Sequence, residues 1–312
     1  MFKNFLMIIF SMILAISACG QESINSGGDK LLVINQFMSH PALDAVAQGV
    51  EEALRKRAAK VKIQLQNAQG NITNTVQIAK HQASQSPEVI VAIATPSVQS
   101  VAKARTNVKK TIIAFAAVTD PVAAGISKLE NIIGVVDTPP INDLIDILLK
   151  ALPDKKRVGI ISNSGEINSI KIAEQFISYS TAKGLRVINM QISIGAQVKA
   201  AAEKLVSEVD VIFIPQDNIV VSAIDSVIQV AASQKVPVIG NDPSLVDKGL
   251  LFALGCDYFK IGVQLGDMIA DRLENKKVEP NIQGSGIKEF RINEKMAVIL
   301  GLDSQILKGA SK

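Results

Sequence analysis

Four prolines in this sequence come just after apolar runs, and each is preceded by a residue that can cap a helix. The pairs are His40-Pro41, Thr95-Pro96, Asp120-Pro121 and Asp242-Pro243. Proline suits the first turn of a helix because its missing N–H would be unpaired there, and the residue before it takes the cap position. Asp217 can cap a helix in the same way. One such residue is usually only a cap, but five at strand ends favour an edge whose free N–H groups bind a carboxylate or phosphate.

The residues around the caps in the first half of the chain offer donors and an aromatic surface. The candidates are Gln36, Phe37, His40, Thr95, Pro96, Ser97, Thr119 and Asp120. The hydroxyl and backbone N–H groups of residues 95–97 suit a carboxylate, and Phe37 or Phe115 can lie against an aromatic or aliphatic side chain. His40 can equally be a cap or a packing residue. His81 is expected to be a solvated residue within a helix.

Acidic and amide side chains dominate the candidates in the second half. They are Asn163, Ser164, Glu166, Asn168, Ser169, Asp217, Asn218, Asp242 and Asp257. A trapped ammonium would pair with one of these carboxylates, because a buried charge must be neutralised. The sequence leaves open which aspartate takes it. Donors on one side and acids on the other suit a zwitterion such as an amino acid.

The sequence carries no motif that points to catalysis. It has no G-x-S-x-G elbow, no phosphate-binding Walker loop and no paired metal-ligand spacing. His40 is the one histidine at a strand end and thus the one candidate for a catalytic imidazole. We therefore expect no catalytic residue, no metal and no cofactor, and keep a hydrolase only as an unfavoured alternative.

Short Val- and Ile-rich runs alternate with longer amphipathic runs, which predicts parallel α/β sheets. The predicted strands are 31–36, 61–66, 89–94, 111–117, 132–136, 157–162, 185–192, 209–215 and 236–240, and the predicted helices include 42–59, 75–85, 218–232 and 258–275. Asp120-Pro121 and Asp242-Pro243 each follow the fourth strand of a half and lie 122 residues apart. We predict two similar doubly wound lobes whose strand ends face each other across a cleft.

The N-terminus has the features of an export signal. Lys3 precedes an apolar run that is too short for a settled transmembrane helix, and residues 16–19 read ISAC. This resembles a bacterial lipobox and predicts a signal peptide over 1–18, a lipid on Cys19 and a flexible tether over 19–30. An ordinary signal peptide with a chance cysteine is the alternative. Cys256 then has no disulfide partner and is expected to be a small buried residue. A net charge of +4 over 312 residues argues against nucleic-acid binding.

Several motifs together resemble a known family. They are INQFMSHPALD, NAQGN, IATPSVQ, VTDPVAAGI, ISNSGEINS, IPQDN and GVQLG. They look like the substrate-binding lipoproteins of ABC importers, in the branch with tryptophan- and tyrosine-binding members. The resemblance implies a type I periplasmic-binding-protein fold, with two lobes, a three-stranded hinge and a ligand trapped by closure. One departure is LENIIGVVD, which lacks the glycine-asparagine turn expected before its strand.

The resemblance also implies an organisation and a role. Lobe 1 would hold residues 31–137 and 256–282, and lobe 2 residues 138–255 and 283–312. Helix 258–275 would pack back on lobe 1. The chain would cross between the lobes near Asp137, residues 255–257 and residues 282–290. The protein would be a monomer that is anchored to the periplasmic or extracellular face of a bacterial membrane by the lipid on Cys19. It would capture a small ligand, an amino acid with an aromatic one favoured, for an ABC permease and its ATPase subunit.

Two alternatives stay open from the sequence. A ligand sensor would use the same pocket with another membrane partner. A sugar or nucleoside binder is also compatible, because Asn- and Asp-rich clefts suit hydroxyl groups. The absence of tryptophan and the presence of only two tyrosines argue mildly against stacking on a sugar.

Overall fold

A computed structural model describes residues 29–104, 110–286 and 288–311 of the chain. The predicted signal peptide, the lipidation site at Cys19 and most of the predicted tether lie outside the described residues. Within those ranges, no helix is both long enough and apolar enough to cross a membrane.

The first sheet is built from the first half of the chain and one later strand. Its elements are β1 Lys30–Gln36, α1 Pro41–Lys56, β2 Val61–Asn67, α2 Ile72–Ser84, β3 Val89–Ile93, α3 Thr95–Ala104, β4 Ile112–Val118 and β5 Ile132–Val136. The six strands are parallel in the order β11-β5-β4-β3-β1-β2, with β11 at Ile282–Gly284. Strands β3 and β4 read as continuous apolar runs because helices cover both faces of the sheet.

The second sheet repeats this order. Its elements are α4 Ile141–Ala151, β6 Arg157–Asn163, α5 Ile167–Ala182, β7 Arg186–Ile192, α6 Val198–Leu205, β8 Val211–Ile214, α7 Asn218–Ser222, α8 Ile224–Ser233, β9 Val238–Gly240, β10 Phe252–Cys256, β12 Lys288–Ile292, α10 Glu294–Ile299 and α11 Ser304–Ala310. The strand order is β12-β10-β9-β8-β6-β7, with β12 antiparallel to β10. The prediction of two similar α/β lobes with parallel sheets is confirmed.

Three connections join the sheets, from β5 to α4, from β10 to α9 (Tyr258–Leu273) and from β11 to β12. Cys256 still pairs with Lys288 in the second sheet, and β11 pairs with β5 as far as Gly284. The predicted boundaries at 256 and 282 are therefore one and two residues early.

Helix α9 packs on α1 in the first lobe, as predicted. A Cβ added to Gly262 would lie 2.2 Å from the carbonyl oxygen of Val46, and one added to Gly49 would lie 2.2 Å from that of Phe259. Glycine is required here because the two backbones touch. This contact fixes Tyr258, the first residue of α9, beside the cleft.

Several predicted helix starts are wrong in detail. Asp120 begins a turn instead of a helix, because its Oδ1 accepts the N–H groups of Val122 and Ala123 and the turn ends at Gly125 with φ 76°. Helix α3 already includes Thr95 and follows Ala94 at φ 83°. The helix predicted over 218–232 breaks at Ala223 (φ −109°, ψ 17°) into α7 and α8.

Three other expectations are local. Cys256 is buried as predicted, with its Sγ 2.8 Å from the Ser285 hydroxyl. The turn before β5 needs no glycine, because Asn131 adopts φ 56° and its amide donates to the carbonyl oxygens of Lys110 and Thr111. His81 is exposed near the end of α2.

Candidate functional site

A small cavity lies between the two lobes, at the carboxyl ends of their strands. The first lobe and its connections line it with His40, Ala42, Leu43, Ala117, Thr119, Asp137 and Tyr258, and the second lobe with Asn168, Gln216, Asp217, Asn218, Val221 and Asp242. The empty space among these residues, including the part open to solvent, is about 370 Å³.

Two buried carboxylates, Asp137 and Asp242, form the acidic part of the cavity. Asp137 accepts hydrogen bonds from Thr119 Oγ1 at 3.1 Å and from Tyr258 Oη at 3.0 Å. Asp242 accepts two from Ser244, both on Oδ1. Within the described residues neither carboxylate forms a salt bridge. Burial raises the pKa of each to about 6, and the charge of Asp137 adds to the rise at Asp242.

Gln216 joins the second lobe to this acidic part. Its Nε2 donates to Tyr258 Oη at 2.7 Å and to the carbonyl oxygen of Asp137 at 3.2 Å, and its Oε1 accepts from Thr119 Oγ1 at 3.3 Å. The backbone carbonyl of Gln216 is itself held by the Asn168 side-chain amide at 2.8 Å. Burial and the two nearby aspartates raise the pKa of Tyr258 well above its ordinary value, so its hydroxyl stays protonated and donates to Asp137.

Glu166 and Asp217 form a second pair of buried carboxylates in the second lobe. Asp217 lines the cavity and Glu166 lies directly behind it. Glu166 precedes α5 and accepts N–H groups from Asn163, Asn168, Asn218 and Ile219. Asp217 caps α7 through the N–H of Val220 at 2.9 Å and accepts the Ser169 hydroxyl at 2.6 Å and the Asn163 N–H. Burial, followed by the charge of Asp217, raises the pKa of Glu166 to about 7, and burial also raises the pKa of Asp217.

His40 makes the other polar contact across the lobes. Its Nε2 lies 3.2 Å from Asn218 Oδ1. Two buried atoms of the lining, His40 Nδ1 and Asn168 Oδ1, have no hydrogen-bond partner within the described residues. Burial lowers the pKa of His40, so the ring is neutral. Unpaired buried polar atoms are rare, and at a cavity wall they indicate a ligand.

The structure brings six of the predicted site residues into the lining. They are His40, Thr119, Asn168, Asp217, Asn218 and Asp242. Three more stand directly behind it, namely Asn163, Glu166 and Ser169. All but His40 and Thr119 belong to the second lobe.

The other predicted residues are placed elsewhere. Gln36 donates to Asp44 and to the carbonyl oxygen of Met38, and the Ser97 hydroxyl donates to Asn35. Phe37 lies in the core of the first lobe, and the ring of Phe115 covers Gly134 on the neighbouring strand. Thr95 and Pro96 are buried in α3, Ser164 bonds to the Ile192 carbonyl, Asp120 holds its turn and Asp257 caps α9.

Three polar lining residues are absent from the sequence-based list. Asp137 follows β5 as Asp242 follows β9, so the strand-end rule applied evenly would have included it. Gln216 stands beside Asp217 in the motif PQDN. Tyr258 has no local signal, since its role depends on how α9 packs on α1.

A wider groove of about 710 Å³ lies outside the cleft, along α9 and residues 277–286. Four acids and two lysines line it, and it includes only Asp257 from the predicted site. Its described lining has no buried polar atom without a partner. Within the described parts of the chain, no group of three or more His, Cys, Asp or Glu residues can hold a metal ion. The cavity between the lobes is therefore the candidate site.

The profile of the ABC transporter substrate binding protein family matches residues 32–312. The chain belongs to this family. A protein named tyrosine-binding protein, from Clostridioides difficile, is 32% identical over 298 residues, covering 88% of this chain and 86% of the relative. Proteins of the family bind small molecules outside the cytoplasm and deliver them to a permease.

Two solved structures show related proteins with and without a ligand. An ABC domain from Streptococcus pneumoniae in complex with L-Trp is 28% identical, covers 89% of this chain and 98% of its own, and has a TM-score of 0.82. The ligand-free, open structure of a substrate binding protein with adhesive properties from Clostridium difficile is 32% identical and covers 88% of this chain and 95% of its own, with a TM-score of 0.66. The substrate-binding protein described here is thus nearer in shape to the L-Trp complex, although the open structure is nearer in sequence.

More distant structures share only the fold. Sugar-binding and other solute-binding structures at 13% to 14% identity match with TM-scores of 0.63 to 0.65. The fold is that of type I periplasmic binding proteins, as the sequence predicted.

Proposed function

We propose that this substrate-binding protein captures an aromatic amino acid between its lobes and delivers it to an ABC permease with an ATPase subunit. The observation that carries the proposal is the pair Asp137 and Asp242, two buried carboxylates at the cavity without a cationic partner among the described residues. An ammonium group would neutralise them. The names of the tyrosine-binding relative and the L-Trp complex support an aromatic amino acid.

The remaining lining fits the other parts of such a ligand. Leu43, Ala117 and Val221 offer an apolar surface for a ring. The start of α3 stays the predicted site for the ligand carboxylate, to be reached when the lobes are apart. Closure would then proceed about the three connections, with Gln216 and the His40–Asn218 contact joining the lobes around the ligand.

We also propose that residues 1–18 are removed and that Cys19 carries a lipid, so that residues 19–30 tether a monomeric body to the membrane. The support is the ISAC motif after an apolar run. The protein makes or breaks no bond in this role, and it needs no metal or cofactor. Metabolic labelling with a radioactive fatty acid is expected to mark the chain, whereas Cys19→Ser is expected to remain unlabelled.

The ligand can be tested by its own fluorescence, because the chain has no tryptophan and only two tyrosines. We expect the emission of L-tryptophan to move to shorter wavelength as it enters the cavity of the full chain in detergent. Tyrosine, phenylalanine, nucleosides and sugars are then added as competitors. Displacement by a sugar or nucleoside, with no binding of any aromatic amino acid, would contradict the proposal.

A matched pair of variants tests the ammonium site. Asp137→Asn is expected to weaken binding by about 2 kcal/mol, or about thirtyfold, because a hydrogen bond between charged groups is lost. Asp143→Asn removes a carboxylate of the same type six residues later, at an exposed position 3.9 Å from Lys288. Its affinity is expected to match that of the unchanged protein. Equal affinities of the two variants for the ligand would show that Asp137 is not part of the ammonium site.

A further inference from the structure

The hydrogen bonds around His40 decide which of its ring nitrogens carries the proton. The Nδ2 of Asn218 donates to the Glu166 carboxylate, so its Oδ1 is the atom that faces His40. An amide oxygen only accepts, and Nε2 must therefore be the protonated nitrogen of the neutral ring. Nδ1 is left as a bare acceptor.

This acceptor has no partner of its own. His40 is 9% exposed, its Nδ1 is buried and unpaired within the described residues, and the side chain lines the cavity. Asn168 Oδ1, in the same wall, is a second buried acceptor without a donor. A buried acceptor left unpaired has a cost in free energy, so a ligand that brings a donor to it is favoured.

The wall around His40 is separate from the ammonium site. His40 bonds to Asn218 and through it to Glu166, and none of these bonds reaches Asp137 or Asp242. The lining beside His40 is apolar, with Ala42 and Leu43 following it at the start of α1. A ring that lies along this surface brings its far end toward the imidazole.

We infer that His40 selects the ligand's side chain: its bare Nδ1 accepts a hydrogen bond from an O–H or N–H on the aromatic ring. Tyrosine and tryptophan carry such a donor and phenylalanine does not. A site that forms such a bond rejects the analogue without the donor. The inference rests on the proposed function, because it assumes that an aromatic amino acid occupies the cavity.

Calorimetric titration of the full chain in detergent tests the inference with two pairs of ligands. Tyrosine is expected to bind at least about tenfold more tightly than phenylalanine, and tryptophan more tightly than 1-methyltryptophan. O-methyltyrosine, which keeps the ring oxygen but has no donor, is expected to bind no better than phenylalanine. Equal affinities within each pair would overturn the inference and leave the proposed function standing. If none of these ligands binds, the proposed function fails as well.

Variants separate selection by His40 from closure of the lobes. His40→Leu is expected to weaken every ligand, because the bond to Asn218 is lost, and to reduce the tyrosine-to-phenylalanine ratio to about one or below. Thr119→Val removes the hydroxyl that reaches Gln216 across the lobes and Asp137 at the ammonium site, so it is expected to weaken tyrosine and phenylalanine alike. It is expected to keep the ratio of the unchanged protein. An unchanged ratio in His40→Leu would exclude His40 as the selecting residue.

Nitrogen NMR of the unchanged protein provides a test that needs no variant, so it does not depend on whether a variant folds. The chain has only two histidines, and His81 is exposed on α2, so the ring signals of His40 can be assigned. We expect a protonated Nε2 and a bare Nδ1 without ligand, and an upfield shift of Nδ1 when tyrosine, but not phenylalanine, is added. A protonated Nδ1 in the unliganded protein would overturn the inference.

Discussion

The two pairs of buried carboxylates at the cleft differ in how far the protein itself satisfies them. Glu166 and Asp217 receive five and three hydrogen bonds from surrounding N–H and O–H groups. The side chains of Asp137 and Asp242 receive two each. A buried carboxylate with a full set of donors serves the fold, whereas one that faces a cavity with few donors is suited to a ligand's cation. The first pair therefore holds the wall of the site, and the second pair is the one that we propose to bind the ligand.

The strongest test of this comparison is the loss of Asp217. Asp217→Ala removes the acceptor of the Val220 N–H and of the Ser169 hydroxyl, and it leaves the Asn163 N–H with only the Ser169 oxygen as acceptor. We expect the free energy of unfolding to fall by about 3 kcal/mol, as measured by urea unfolding monitored by circular dichroism at pH 7.

Asp137→Asn is the control for Asp217→Ala, because it removes a charge that has no cationic partner among the described residues while keeping the size of the side chain. Its free energy of unfolding at pH 7 is expected to stay the same or to rise. A fall in both variants by the same amount would show that the two pairs do not differ.

The pH dependence of stability sharpens the comparison. Asp137 and Asp242 each have a pKa of about 6, above the ordinary 3.8, so the folded protein keeps protons that the unfolded chain releases. Their stabilising contribution is complete below about pH 4 and is lost as the pH rises through 6. Unliganded protein should therefore gain stability from these groups between pH 7 and pH 5, with Glu166 adding to the gain because its pKa is about 7.

Binding of an ammonium should show the opposite pH dependence. The ligand favours the ionised carboxylates, so it releases protons when it binds, and its affinity should fall about tenfold per pH unit below 6 for each carboxyl that must ionise. Titration calorimetry in buffers of different ionisation enthalpy measures this release directly. In Asp137→Asn and Asp242→Asn the release should be smaller. An affinity that does not change between pH 5 and pH 7 would argue against these two carboxylates as the ammonium site.

The smallest effect is expected at Gln216, whose side chain joins the two lobes. Gln216→Ala removes the bonds to Tyr258, Thr119 and the Asp137 backbone, which span the lobes. We expect ligand affinity to fall by about 1 kcal/mol, or about fivefold. Small-angle X-ray scattering should show a larger radius of gyration in the presence of the ligand, since fewer molecules are closed.

Gln234→Ala is the matched control for Gln216→Ala, because Gln234 is exposed at the end of α8. Neither the affinity nor the radius of gyration should change in that variant. If Gln216→Ala behaves in the same way, Gln216 has no part in closure.

Much of the architecture was predictable because its signals are local. Runs of Val and Ile mark the buried strands, and the repeated strand–helix order gives two lobes of the same topology. The rule that polar residues at strand ends face the cleft found six lining residues. It failed for Ser97 and Gln36, whose side chains bond within their own lobe, and for Phe115, whose ring fills the space over Gly134. A strand end does not indicate which way its side chain turns.

The sequence by itself determined the α/β class, the twofold repetition and the position of the cleft. It also determined that acidic and amide side chains line the cleft on the side of the second lobe. Those properties follow from periodicity and from caps, which act within a few residues of the chain. Only the tertiary structure decided that Asp137 and Asp242 have few donors, that Gln216 reaches Tyr258 across the lobes and that His40 Nδ1 has no hydrogen-bond partner among the described residues. The Gln216–Tyr258 and His40–Asn218 contacts join groups more than 40 residues apart, and what a buried polar atom does is set by the partners that folding brings to it.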